Sequence, residues 1–220
     1  DAGLYFNMAV TYQESLKDTN QARQALKKSI ALDPERAESD LLLGQLFQTG
    51  GYRTQAVLTL SRFLILSPSS NRSLQAYGLW RALLRGTADT ALTGTMKTPE
   101  KPATIDEGDF SKLDAFIDVT QKQATAELDK GTPDTMALVG QVDAFFGRLE
   151  AESGSVRGSF VGARYVPYFI ELKAKGYVEP FVYWASQRAP LVGAREWVDA
   201  NRSRVQEFLT WSESYRWPKE

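Results

Sequence analysis

Histidine and cysteine are both absent from this chain of 220 residues. Without histidine there is no imidazole base, no Ser-His-Asp triad and no histidine metal site. Without cysteine there is no thiol nucleophile, zinc–thiolate cluster or disulfide framework. A charge excess is missing too: 26 basic residues against 27 acidic ones leave a net charge of −1. No Lys/Arg cluster is long enough to suggest nucleic acid. No apolar run approaches the roughly 20 residues of a membrane span. The reading therefore assigns no catalytic residue, no metal ligand, no cofactor, no nucleic-acid partner and no membrane span.

What the chain does have is an internal echo. Ala22, Leu26, Ile30, Leu32 and Pro34 are followed, each thirty-four positions later, by Ala56, Leu60, Leu64, Leu66 and Pro68. Upstream, Met8, Ala9 and Tyr12 return as Leu43, Gly44 and Phe47 at a separation of thirty-five. Self-similarity at this period marks stacked helical units, none of which can bury its apolar face alone. In the second unit Leu43, Leu46 and Phe47 recur at helical spacing until Gly50-Gly51 interrupts them. Ala56, Leu60, Phe63 and Leu64 then resume the pattern, which reads as a helix, a tight turn and an antiparallel helix. Gly44 and Ala56 fall where the two axes approach most closely, and Pro68 ends the second helix.

Residues 4–70 resemble tetratricopeptide repeats. The matching positions are Leu43, Gly44, Phe47, Ala56, Leu60, Phe63 and Pro68 in the second copy. In the first they are Tyr5, Met8, Ala9, Tyr12, Ala22, Leu26, Ser29 and Pro34, with one additional residue in the turn around Leu16–Asn20. Asp40 departs from the pattern by replacing an early aromatic. Tyr77 and Gly78 start a third copy over 71–85, whose second helix would fall near Thr90–Gly94, where no helical stripe exists. The resemblance implies an all-α fold of antiparallel hairpins in a right-handed superhelix, followed by a helical carboxy-terminal region.

Three segments follow: repeats over 1–86, a linker or crossover over 87–108, and a helical region over 109–220. Glycine, threonine, Pro99 and Pro102 fill the middle segment, which is long for a connection between packed helices. In the last, Asp109 heads a helix through Leu128, and Thr132-Pro133 starts another with Met136, Val139, Val142, Phe145, Phe146 and Leu149 on its apolar side. Glycine and serine from Ser153 to Ser159 predict a loop. A helix-turn-helix over Tyr165–Lys175 and Glu179–Gln187 surrounds Gly176-Tyr177, but Phe169 and Phe181 stand at its small-residue positions, so it is not counted as a repeat. A short helix near Ala194–Ala200 and a last one from Ser203 finish the chain, with Ser203 and Gln206 as a capping box. The run from Tyr177 to Trp184 and the later Phe208–Trp211 are similar to tails of uncharacterised bacterial repeat proteins. A start at Asp1, inside a repeat, reads as a mature form or a piece of a longer array, with a lean toward an exported, periplasmic bacterial protein.

The carboxylates that remain are Asp106, Glu107 and Asp109, and Glu150 and Glu152; the first group lies near a helix start and reads as helix-terminus residues rather than acid–base or metal groups. Gly-Ser-Val-Arg-Gly-Ser at 154–159 lacks the lysine and spacing of a phosphate loop. Aromatics at helical spacing, including most of the five tryptophans, read as core, with Trp217 the most exposed. The repeat resemblance implies a groove lined by first helices, which places Phe6, Asn7, Val10, Leu41, Leu42, Gln45, Gln75 and Leu79 on one concave surface. Only Asn7 fits a carboxylate clamp. The expected function is a non-enzymatic scaffold or adaptor whose apolar groove takes a protein or peptide, filled in part by its own carboxy-terminal half or by a second copy. The alternatives are a carboxylate-based enzyme and a segment of a larger assembly factor.

Overall fold

The computed structural model describes residues 1–85, 107–189, 191 and 193–218, and among them it has eleven α-helices and no strand. The chain is all-α. It opens with two antiparallel hairpins, α1 (Ala2–Glu14) with α2 (Thr19–Leu32) and α3 (Ala37–Thr49) with α4 (Arg53–Leu66), and α5 (Ser73–Arg85) follows them. The bounds of α1 return in α3 at thirty-five residues, and those of α2 return in α4 at thirty-four. The additional residue therefore lies in the first turn. Each turn places one residue at positive φ: Gly51 at 80° in the second, Lys17 at 55° in the first. Asp1 and Asp18 cap α1 and α2, accepting from the backbone N–H groups of Gly3 and Gln21. A Cβ on Gly44 would lie 2.8 Å from Leu60 Cγ, so the hairpin axes do approach most closely there.

The second half comprises α6 (Ser111–Asp129), α7 (Asp134–Val156), α8 (Phe160–Ala174), α9 (Val178–Ala185), α10 (Ala194–Ala200) and α11 (Arg202–Ser214). α6 pairs with α7, α7 carries α8 and α9, and α9 packs on α10 and α11. The two halves meet on α4, against which α6, α8 and α9 all lie, and on α5, against which α6 also packs. As a result α4 is buried from Arg53 to Ile65, as a central helix must be. Most of the expected connector, residues 87–106, lies outside the described residues, as do Asp106 and the stretch near Thr90–Gly94.

Two local expectations are corrected. α7 continues to Val156, so only residues 157–159 of the stretch read as a loop form a turn; Ser153 and Ser155 donate back to the carbonyls of Glu150 and Glu152. Val156 is also buried, which rewards the extra turn. The capping box of Ser203 and Gln206 does not form. α11 starts at Arg202 directly after the turn at Asn201, so Ser203 already lies in its first turn, and Gln206 bonds Thr210 instead. The large residues on either side of the Gly176-Tyr177 turn meet each other: Phe169 and Phe181 are 6.4 Å apart, with Phe146 against both. Trp80 is fully buried with its Nε1 donating to Ser61, while Trp184, Trp197, Trp211 and Trp217 are half-buried.

Candidate protein-binding groove

The eight residues expected to line the groove come from α1, α3 and α5, and their environments differ. Asn7 and Gln75 are exposed, whereas Phe6, Val10, Leu42, Gln45 and Leu79 are half-buried. Leu41 is buried. Phe6, Leu42 and Leu79 rest on the same continuous core that includes Leu41. Thr11 donates to the backbone carbonyl of Asn7, which leaves the Asn7 side chain in solvent. Among the described residues, no hydrogen bond, ion pair or ring contact joins any of the eight to a residue beyond 106.

The polar contacts between the halves use other residues: Asp40 on α3, Tyr77, Arg81 and the Leu84 carbonyl on α5, and several on α2 and α4. Glu107 is buried and accepts from Arg23 Nε at 3.0 Å and Lys27 Nζ at 3.2 Å, both on α2. Its backbone carbonyl accepts from Gln55 on α4. Asp114 on α6 accepts from the N–H and hydroxyl of Thr54, at 2.9 and 2.6 Å, and so caps α4 from outside its own chain segment. Burial pushes the Asp114 carboxyl above its ordinary range. Asp109 accepts from the Ser111 N–H near the start of α6, and hydrogen bonding from Ser111, its hydroxyl first and its N–H second, holds the Asp109 carboxyl low. Glu152 is ion-paired with Arg148 and Lys112, and Glu150 is exposed.

A buried cluster that sequence reasoning missed centres on Asp40. The Tyr165 hydroxyl donates to Asp40, and burial raises the Asp40 carboxyl to about 7 against the pull of Tyr165, Arg62 and Arg164. Arg62 is enclosed and donates to Ser212 at 2.8 Å and Glu35 at 2.6 Å, with its guanidinium over Tyr168 and Trp217. Arg164 donates to the carbonyl of Ile30 and also lies over Trp217. The signal in the sequence was Asp40 itself, a carboxylate where the repeat pattern calls for an aromatic. Its tyrosine stands 125 residues away, so spacing could not supply the partner.

No protein-family model, curated protein or solved structure matches this chain. Among the described residues no group of acidic side chains is placed to hold a metal ion, and no helix is long and apolar enough to cross a membrane.

Proposed function

We propose that residues 4–85 are tetratricopeptide-like repeats and that the chain is a non-enzymatic scaffold or adaptor. Its first helices, α1, α3 and α5, hold an apolar segment of a protein or peptide partner. The observation that carries this reading is the division of labour between faces. The second half binds across α4, reaches α2 through Glu107 and Arg164, and touches α3 at Asp40 and α5 at Arg81 and the Leu84 carbonyl, while Phe6, Val10, Leu42 and Leu79 keep part of their surface in water. Apolar surface that a protein leaves uncovered in a row along helices suits an amphipathic segment laid into it. The chain's own second half and a second copy are the competing occupants.

The enzyme reading draws on the raised Asp40 and Asp114 carboxyls, and Asp114 is engaged in capping α4 through Thr54. Asp40 has 1% of its surface exposed and its Oδ1 is engaged by Tyr165, so a substrate has no route to it. The scaffold reading is therefore preferred. Photo-crosslinking residues placed at Asn7 and Gln75, with exposed Glu150 as the control, test it in cell extract. Adducts to a foreign peptide at the first two positions, lost on Leu79→Asp, are the expected result. Crosslinks into residues 107–218 would identify self-filling. Equal labelling at all three positions would end the reading.

A further inference from the structure

The outer face of α1 carries a second surface, which adjoins the groove row at Asn7. Leu4 is 59% exposed, Met8 37% and Leu16 63%, and Thr11 beside them is exposed. With Asn7 and Tyr12 they line a shallow cavity of about 380 Å³. No charged residue occurs from Ala2 to Gln13. Depletion of charge is what distinguishes the core of an interface from ordinary surface.

The molecule itself shows what covers this face, because it contains the same face twice more. Leu4, Met8 and Thr11 correspond to Ser39, Leu43 and Leu46 on α3 at thirty-five residues, and those to Ser73, Tyr77 and Trp80 on α5 at thirty-four. All six later residues are buried. Each set lies on a helix packed against the second helix of the preceding hairpin, α2 on α3 and α4 on α5. Hydrogen bonds cross both junctions, Ser29 to Ser39 at 2.9 Å and Trp80 to Ser61 at 2.8 Å. Only on α1 are the equivalent positions open. We infer that the outer face of α1 is a docking surface for the second helix of a further helical hairpin built like α1–α2, seated as α2 is seated on α3. A second copy of this chain supplies no such helix: α4 is buried along its length, and α2 spends its apolar side on α1 and α3.

The test supplies such a hairpin to the full chain. Residues 1–35 are duplicated ahead of Asp1, which restores the thirty-five-residue spacing to the original α1. Amide hydrogen exchange is then followed in both copies. The expected result is at least tenfold slower exchange in the original α1 and a protected, helical added hairpin. Met8→Asp placed in the original α1 should return the added hairpin to free-peptide exchange, and Leu4→Asp should do the same. In the chain of 220 residues both changes should leave the melting temperature within experimental scatter, since these positions already face water. An added hairpin that stays unprotected, or one whose protection ignores both substitutions, overturns the assignment. A native chain that dimerises and is made monomeric by Met8→Asp overturns it in favour of a second copy.

Discussion

Gly162 sits where a single methyl group would meet backbone. A Cβ there would lie 1.8 Å from the carbonyl oxygen of Val156, at the turn where α7 gives way to α8 and Ser159 caps the new helix. Gly162→Ala should therefore destabilise the fold by about 1–3 kcal/mol through overpacking, or more if the turn cannot open. Gly140, inside α7, meets nothing within 4 Å, and Gly140→Ala should stabilise by about 0.5–1 kcal/mol. Chemical denaturation of the two variants checks the contrast, and equal effects would discount the contact. Asp40 offers a second measurement. Its carboxyl is raised from 3.8 to about 7 by burial, with Tyr165, Arg62 and Arg164 pulling down and Glu35 pushing up. Between those values the folded chain keeps a proton that the unfolded chain has lost. Its contribution to stability is thus complete below about pH 4, falls as pH rises toward 7, and changes little above. Asp40→Asn should flatten that part of the pH profile. Unchanged slopes in wild type and variant, measured by urea unfolding at pH 5 and pH 8, would contradict it.

At the scale of elements, the hairpins were legible because period, turn and close contact agreed. The thirty-four-residue echo located α1 to α4, and the single added residue before α2 followed from the shift to thirty-five. Gly44 and Ala56 were identified as the close approach, and both are enclosed, Gly44 against Leu60 and Thr59. Gly44→Leu or Ala56→Leu should lower stability by roughly 1–3 kcal/mol. Thermal melting of each variant is the check, and an unchanged transition in both would remove the assignment. Helix ends were read less well where composition and context disagree. The Gly-Ser stretch at 153–156 has the residues of a loop, yet its serines satisfy their own turn and Val156 is drawn inward. Ser203 and Gln206 had the spacing of a cap but lay past the cap position, which Asn201 takes after the short α10. In the candidate groove, the repeat resemblance implied the row on α1, α3 and α5. It did not give the depth at which each residue sits, and Leu41 is buried where Leu42 beside it is open.

For the whole molecule, the informative fact is which face of the repeats the second half takes. Sequence pattern could not choose it, since α4 is apolar enough for a core and the carboxy-terminal helices are amphipathic in several directions. The choice rests on contacts separated by up to 150 residues: Asp114 on Thr54, Gln141 on the Leu84 carbonyl, Tyr165 on Asp40, Arg62 on Ser212. Several are buried and polar, and an unpartnered buried polar group costs roughly 1–3 kcal/mol. Neither half can meet those demands by itself, because each holds only one partner of every pair. Residues 1–85 alone would also expose the surface of α4 that α6, α8 and α9 cover. The two halves should consequently behave as one cooperative unit. Expressed together as separate chains, 1–85 and 107–220 should co-purify as a one-to-one complex with a single unfolding transition. Expressed separately, each should bind a hydrophobic dye or self-associate, and mixing should suppress both behaviours. Arg62→Ala should weaken the split complex more than Leu79→Asp does, because Arg62 joins Glu35 to Ser212 while Leu79 lies in the row proposed for a partner. Two monomeric halves that melt independently and ignore each other would refute this account. The reverse order of the two substitutions would move the junction between the halves onto the groove, and the second half would then be the groove's occupant.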